Sequence, residues 1–161
     1  MKRTGMGEFA ASSRRRAWLI LAAVLAVVIL AVPVSIPIVN DAAASDVERR
    51  LMEIDVPAGA ERIDSMAEAG KIVGNGNGMQ YAGALLIRSE HSAADLQRFY
   101  SEQEGAVGLS ITVTPAEDLQ REGLHGARGF LAQPGERGTF VVLAWGSGPG
   151  EFFEELDLRG H

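Results

Sequence analysis

Gly74–Arg88 reads GNGNGMQYAGALLIR, and how this stretch is read decides the fold. From Met79 onward the side chains alternate. Met79, Tyr81, Gly83, Leu85 and Ile87 take one parity, and Gln80, Ala82, Ala84, Leu86 and Arg88 the other. A period of two that includes Tyr and Ile predicts a strand. The glycine–asparagine run ahead of it supplies Asn-Gly pairs, which suit the positive φ values of a hairpin turn. Ile72-Val73 therefore closes a partner strand that starts near Arg62-Ile63.

Working toward the C-terminus, Ser92-Ala93-Ala94-Asp95 has the form of a capping box. Leu96, Phe99, Tyr100 and Gln103 follow at helical spacing, and Gly105 is a natural stop. This predicts an amphipathic helix that packs Leu96, Phe99 and Tyr100 on the sheet. GLSITV over Gly108–Val113 alternates again and predicts a half-exposed strand. Thr114-Pro115-Ala116-Glu117 reads as a short helix start with proline at its first position, ending by Gly123. Arg128–Ala132 and Thr139–Trp145 read as a second hairpin around a loop at Gln133–Gly138. TFVVLAW is apolar on both parities, which predicts a central strand. Glu151–Leu158 fits either a terminal helix or an edge strand. The fold class is α+β: a small domain with a mainly antiparallel sheet and one or two helices on one face.

Toward the N-terminus the chemistry changes. Ala17–Val39 reads AWLILAAVLAVVILAVPVSIPIV, 23 residues of which 20 are hydrophobic and none is charged. Roughly 20 apolar residues at 1.5 Å each cross a hydrocarbon core about 30 Å thick. Pro33 is expected to kink or end the helix, because it removes a donor and crowds the preceding turn. Trp18 stands where an amphipathic ring prefers the headgroups. Residues 1–16 carry five basic side chains against Glu8, while residues 40–161 carry 10 basic and 20 acidic ones. By the positive-inside rule, Arg14–Arg16 stay cytoplasmic. The organisation is thus a basic N-terminus (1–16), a transmembrane signal-anchor helix (17–39), a juxtamembrane tether (40–46) and an extracytoplasmic α+β domain (47–161). The alternative is a signal peptide cut near Ala44 in Ala42-Ala43-Ala44, giving a secreted protein. Signal h-regions run about 7–15 residues, shorter than this one, which favours the uncleaved anchor.

Composition narrows the chemistry. Zero cysteine excludes disulfides, thiolate metal sites and cysteine nucleophiles. The acidic domain is unsuited to phosphate backbones, so nucleic acid is not an expected partner. Thirteen Arg to two Lys, with abundant Ala and Gly, has the look of a GC-rich bacterial genome.

No catalytic, cofactor-binding or metal-binding residue is assigned from the sequence, and no cofactor is expected. The Gly74–Gly78 run lacks the Lys-Ser/Thr and the following helix of a phosphate-cradling loop. Asn75, Asn77 and Tyr81 remain as candidates for contact with a partner. His91, His125 and His161 form no H-x-x-x-H pair for zinc. Glu102/Glu104, Glu117/Asp118 and Glu154/Glu155 read as solvated acids. The expected function is a membrane-anchored, non-catalytic module that binds a protein or envelope component. The alternative is a small envelope hydrolase using carboxylates or a Ser/His pair.

Overall fold

A computed structural model describes residues 6–70, 79–119 and 138–157, with side chains from Arg15 onward except that of Glu151. The chain divides into two compact units, Met1–Ser35 and Ile36–His161. Helix α1 (Met6–Met52) contributes to both.

In the first unit, α1 presents Trp18, Leu19, Ile20, Leu25, Ile29 and Leu30 as exposed side chains. Ser35 Oγ donates to Val32 O at 2.8 Å, one turn back. Among the described residues this is one helix long and apolar enough to cross a membrane.

The second unit is an α+β domain. Among the described residues its sheet has four strands: β1 (Ala60–Gly70), β2 (Gln80–Ser89), β3 (Ser110–Pro115) and β4 (Thr139–Gly146). They lie in the order β1-β2-β4-β3, every neighbouring pair antiparallel. The alternation read in Met79–Arg88 separates two faces. Met79, Tyr81, Leu85 and Ile87 enter the larger core cluster, and Ala82, Ala84 and Leu86 enter the smaller one. β4 is central as predicted, with Phe140, Val142 and Ala144 on one face and Val141 and Leu143 on the other. The turn read at Gly74–Gly78 and the strand read at Arg128–Ala132 lie outside the described residues.

Helices cover the face of the larger cluster. Helix α2 (Ala93–Ser101) starts at the capping box: Asp95 N donates to Ser92 Oγ at 3.2 Å, and Ser92 Oγ donates to the Asp95 carboxylate at 2.6 Å. That hydroxyl and the nearby Arg98 guanidinium hold the Asp95 carboxyl below the usual carboxylate range. Leu96 and Tyr100 are buried, and Phe99 meets Tyr100 edge-on at 5.2 Å. Gly105 is not the stop. A short helix α3 (Glu104–Val107) runs through it, and the left-handed residue that ends the segment is Gly108, φ 65°. Arg50 of α1 donates to Val107 O at 3.1 Å, holding that terminus. The helix read at Pro115 is a single 3₁₀ turn, Ala116–Asp118, with Pro115 at its cap. The ambiguous C-terminus is helix α4 (Glu151–Glu155).

The largest departure concerns the residues read as a proline-terminated anchor and a tether. Residues 40–46 are helical, and α1 runs on through Pro33 and Pro37 to Met52. Ile36, Asn40, Ala44, Val47 and Leu51 are buried, at steps of four, four, three and four. Such a stripe is one helix face, so Ile36–Met52 is the domain's central helix. An interior proline costs about 3 kcal/mol, which burial of this stripe offsets. Gly83 of β2 permits the contact: a Cβ there would stand 2.5 Å from Glu48 Cα and 2.6 Å from Glu48 N.

The two sheet edges differ. Along β3, Val113 N donates to Gln97 Oε1 at 2.7 Å, Gln97 Nε2 donates to Ile111 O at 3.0 Å, and Ile111 N donates to Glu104 Oε1 at 2.7 Å. Side chains of α2 and α3 thus satisfy edge groups that would otherwise template another strand. β1 instead carries a register shift between Arg62 and Asp64.

Candidate functional site

Asn75 and Asn77 lie outside the described residues. The side chain of Tyr81 falls on the inward parity of β2 and is 2% exposed. Its hydroxyl donates to Asn40 Oδ1 at 2.8 Å. The Asn40 amide in turn donates to Asp157 Oδ2 at 2.7 Å and to Phe153 O at 2.9 Å. One fully buried asparagine therefore joins α1, β2 and the C-terminal segment. Gly148 makes room for the phenol, since a Cβ there would meet Tyr81 Cε2 at 2.0 Å. Burial, then the negative charges of Glu154 and Asp157, push the Tyr81 phenol up to about 12. An acceptor, two donors and a carboxylate are matched here, which is what a buried polar cluster requires.

A surface site lies at the opposite end of β2. Gly59, Glu61, Arg88, Glu90, His91 and Phe140 help to line an open depression of about 830 Å³. The strands position it directly: Arg62↔Ile87 and Glu61↔Arg88 pair across β1 and β2, and Ile87↔Phe140 across β2 and β4. Gly138, at φ 82°, turns the chain into β4, and Ser89 N donates to its carbonyl at 2.8 Å. Arg88 and Glu61 form an exposed ion pair at 3.5 Å. The result is a shallow, mixed-charge surface with the buried Phe140 among its lining residues.

Ser89 and His91 share this depression, so their relation bears on hydrolytic chemistry. Ser89 Oγ accepts from the His91 backbone N–H at 3.1 Å. The imidazole turns away, its Nε2 lying 2.7 Å from Ala58 O, where a ring N–H donates to the carbonyl. A general base must reach the nucleophile's proton directly or through one water, and this ring nitrogen is committed elsewhere. Glu61 and Glu90 also line the depression, but both are exposed. A carboxyl acting as general acid needs a desolvated setting that raises its pKa.

The remaining acids take ordinary places. Glu104 serves the β3 edge, Glu102, Glu117 and Glu155 are exposed, and Glu154 is half-buried near Tyr81. His125 and His161 lie outside the described residues. Among the described residues no three His, Asp or Glu side chains converge to hold a metal ion. Sequence reasoning missed Asn40, Asp157 and the Ser89–His91 turn. For Asn40 a signal existed, the Ile36-Asn40-Ala44-Val47-Leu51 spacing. The chain matches no family model, no curated protein and no solved structure in the comparisons made.

Proposed function

We propose that this is a single-pass membrane protein whose basic N-terminus is cytoplasmic and whose α+β domain stands outside, as a non-catalytic module that engages a protein or envelope component. The observation that carries the membrane part is the change along α1. From Trp18 to Val34 its large apolar side chains are bare on every side, Trp18 being 71% exposed, whereas from Ile36 the same helix builds the domain core. Each bare Val, Leu or Ile forgoes about 1.5–3 kcal/mol of burial in water, and a hydrocarbon layer supplies it. Cleavage near Ala44 would strip Ile36 and Asn40 from the core, which supports an uncleaved anchor.

For the binding role, the support is the shallow depression around Arg88, Glu90 and His91. It offers both charge signs on a shallow surface, chemistry suited to a short polar segment of a protein partner. The test has two parts. A reporter active only outside the cytoplasm, fused after His161, is expected to be active, with intact mass showing residues 17–39 retained. Photo-crosslinkers placed at Glu90 and at Glu102 in the full chain then read the surface. A discrete adduct at Glu90 and none at Glu102 fits the proposal, whereas equal labelling or none at both sites refutes the depression as the binding face.

A further inference from the structure

From the placement of the C-terminal helix we infer that Phe152 and Leu156 insert into the lipid headgroup layer of the membrane that holds this chain, an inference that rests on the anchored reading above. Three observations lead there. First, Phe152 is 56% exposed and Leu156 is 47% exposed. They are four residues apart along α4 and its C-cap, so they share one helix side. With Ile38 they are the most exposed large apolar residues among the described residues of the second unit.

Second, α4 is tied to α1 at Asn40. Asn40 is the first residue after the apolar run Ala17–Val39, and it donates to Phe153 O at 2.9 Å. Phe152 and Leu156 flank Phe153 by one and three residues, about 1.5 and 4.5 Å along the helix axis. The 23-residue run spans about 35 Å, slightly more than a hydrocarbon core of about 30 Å, which puts Asn40 in the headgroup layer. An aromatic and an aliphatic side chain tied to that level lie within reach of the interface, where aromatic rings are favoured.

Third, the polar side of α4 is already occupied. The Phe153 carbonyl and the Asp157 carboxylate face Asn40, and Glu154 is half-buried close to Tyr81. Of the side chains described, α4 and its cap leave outward the apolar pair together with Glu155. A lipid surface is therefore the fitting occupant, and the acids of this segment select uncharged headgroups over anionic ones.

The absence of cysteine makes the test direct. Single variants Phe152→Cys, Leu156→Cys, Glu102→Cys and Trp18→Cys of the full chain are labelled with an environment-sensitive fluorophore and placed in phosphatidylcholine vesicles. Quenching by a lipid spin-labelled near its headgroup is then measured. We expect labels at 152 and 156 to be quenched several-fold more than at 102, and less so when part of the phosphatidylcholine is replaced by phosphatidylglycerol. Quenching at 152 and 156 no greater than at 102, with the Trp18 site quenched, overturns the inference and leaves the anchor standing. A Trp18 site that is also unquenched, on a chain that does not float with the vesicles, overturns the anchor itself.

Discussion

Replacing Asn40 with alanine tests the junction that distinguishes this fold from a domain on a tether. Asn40 is fully buried and makes three hydrogen bonds: it accepts from Tyr81 and donates to Asp157 and to Phe153 O. In Asn40→Ala the Tyr81 hydroxyl loses its buried acceptor, at about 1–3 kcal/mol, and the Asp157 carboxylate loses a charge-assisted donor, at about 1.5–3 kcal/mol. The Phe153 carbonyl is only part-buried, so water recovers most of its loss. These terms overlap, and about 3–5 kcal/mol is expected in sum. Tyr81→Phe removes one bond and is expected to cost about 1–2 kcal/mol. The double variant should cost less than the two singles added, because both delete the same Tyr81–Asn40 contact. Asn40→Asp should be the most harmful, since it sets a carboxylate against Asp157. The assay is chemical denaturation of the full chain in mild detergent, followed by near-ultraviolet circular dichroism. A cost for Asn40→Ala below about 1 kcal/mol, the level of an ordinary surface change, would refute the reasoning and restore a tether.

Two glycines make a matched pair: Gly83→Ala, whose Cβ would strike the Glu48 backbone, is expected to lose about 1–3 kcal/mol. Gly105→Ala, in open space within α3, is expected to gain about 0.4–1 kcal/mol, and thermal melts compare the two. Gln97→Ala bares the β3 edge, so a loss of about 1 kcal/mol should come with concentration-dependent self-association in sedimentation, absent for Glu102→Ala. The chain has two tyrosines, and burial raises the pKa of both, Tyr81 to about 12 and Tyr100 upward against the opposing pull of Arg62. Because the folded values lie above the unfolded one, their stabilisation is full below pH 10 and is lost as pH rises through the folded values, about 12 for Tyr81. Absorbance at 295 nm should therefore show less phenolate at pH 10 in the folded chain than in denaturant, where both phenols titrate normally.

Local pattern made several elements legible. Period-two alternation marks β2 and β3, because a strand's two faces meet different surroundings and the residues record it. Ser92 and Asp95 mark the start of α2, since a cap is satisfied within four residues. The apolar run of α1 is legible because hydrophobicity summed over some 20 residues needs no partner. Where helices end was less legible. Gly105 and Gly108 are both plausible stops, and the contact from Arg50, 57 residues earlier, sits at the second.

What the sequence by itself determined is therefore each element whose cause lies within a few turns of chain: the alternating strands, the capped helix and the charge-free span. Tertiary structure alone decided the rest. It carried α1 past two prolines, because the stripe from Ile36 to Leu51 gains its burial from a sheet formed later in the chain. It made Tyr81 a buried donor, because its acceptor Asn40 is 41 residues away and that residue's own acceptor Asp157 is 117 further on. It brought Ser89, His91 and Glu61 to one rim while directing the imidazole to a backbone carbonyl. Hydrogen bonds and burial between distant segments leave no periodic trace in the residues that make them, so only the folded arrangement expresses them.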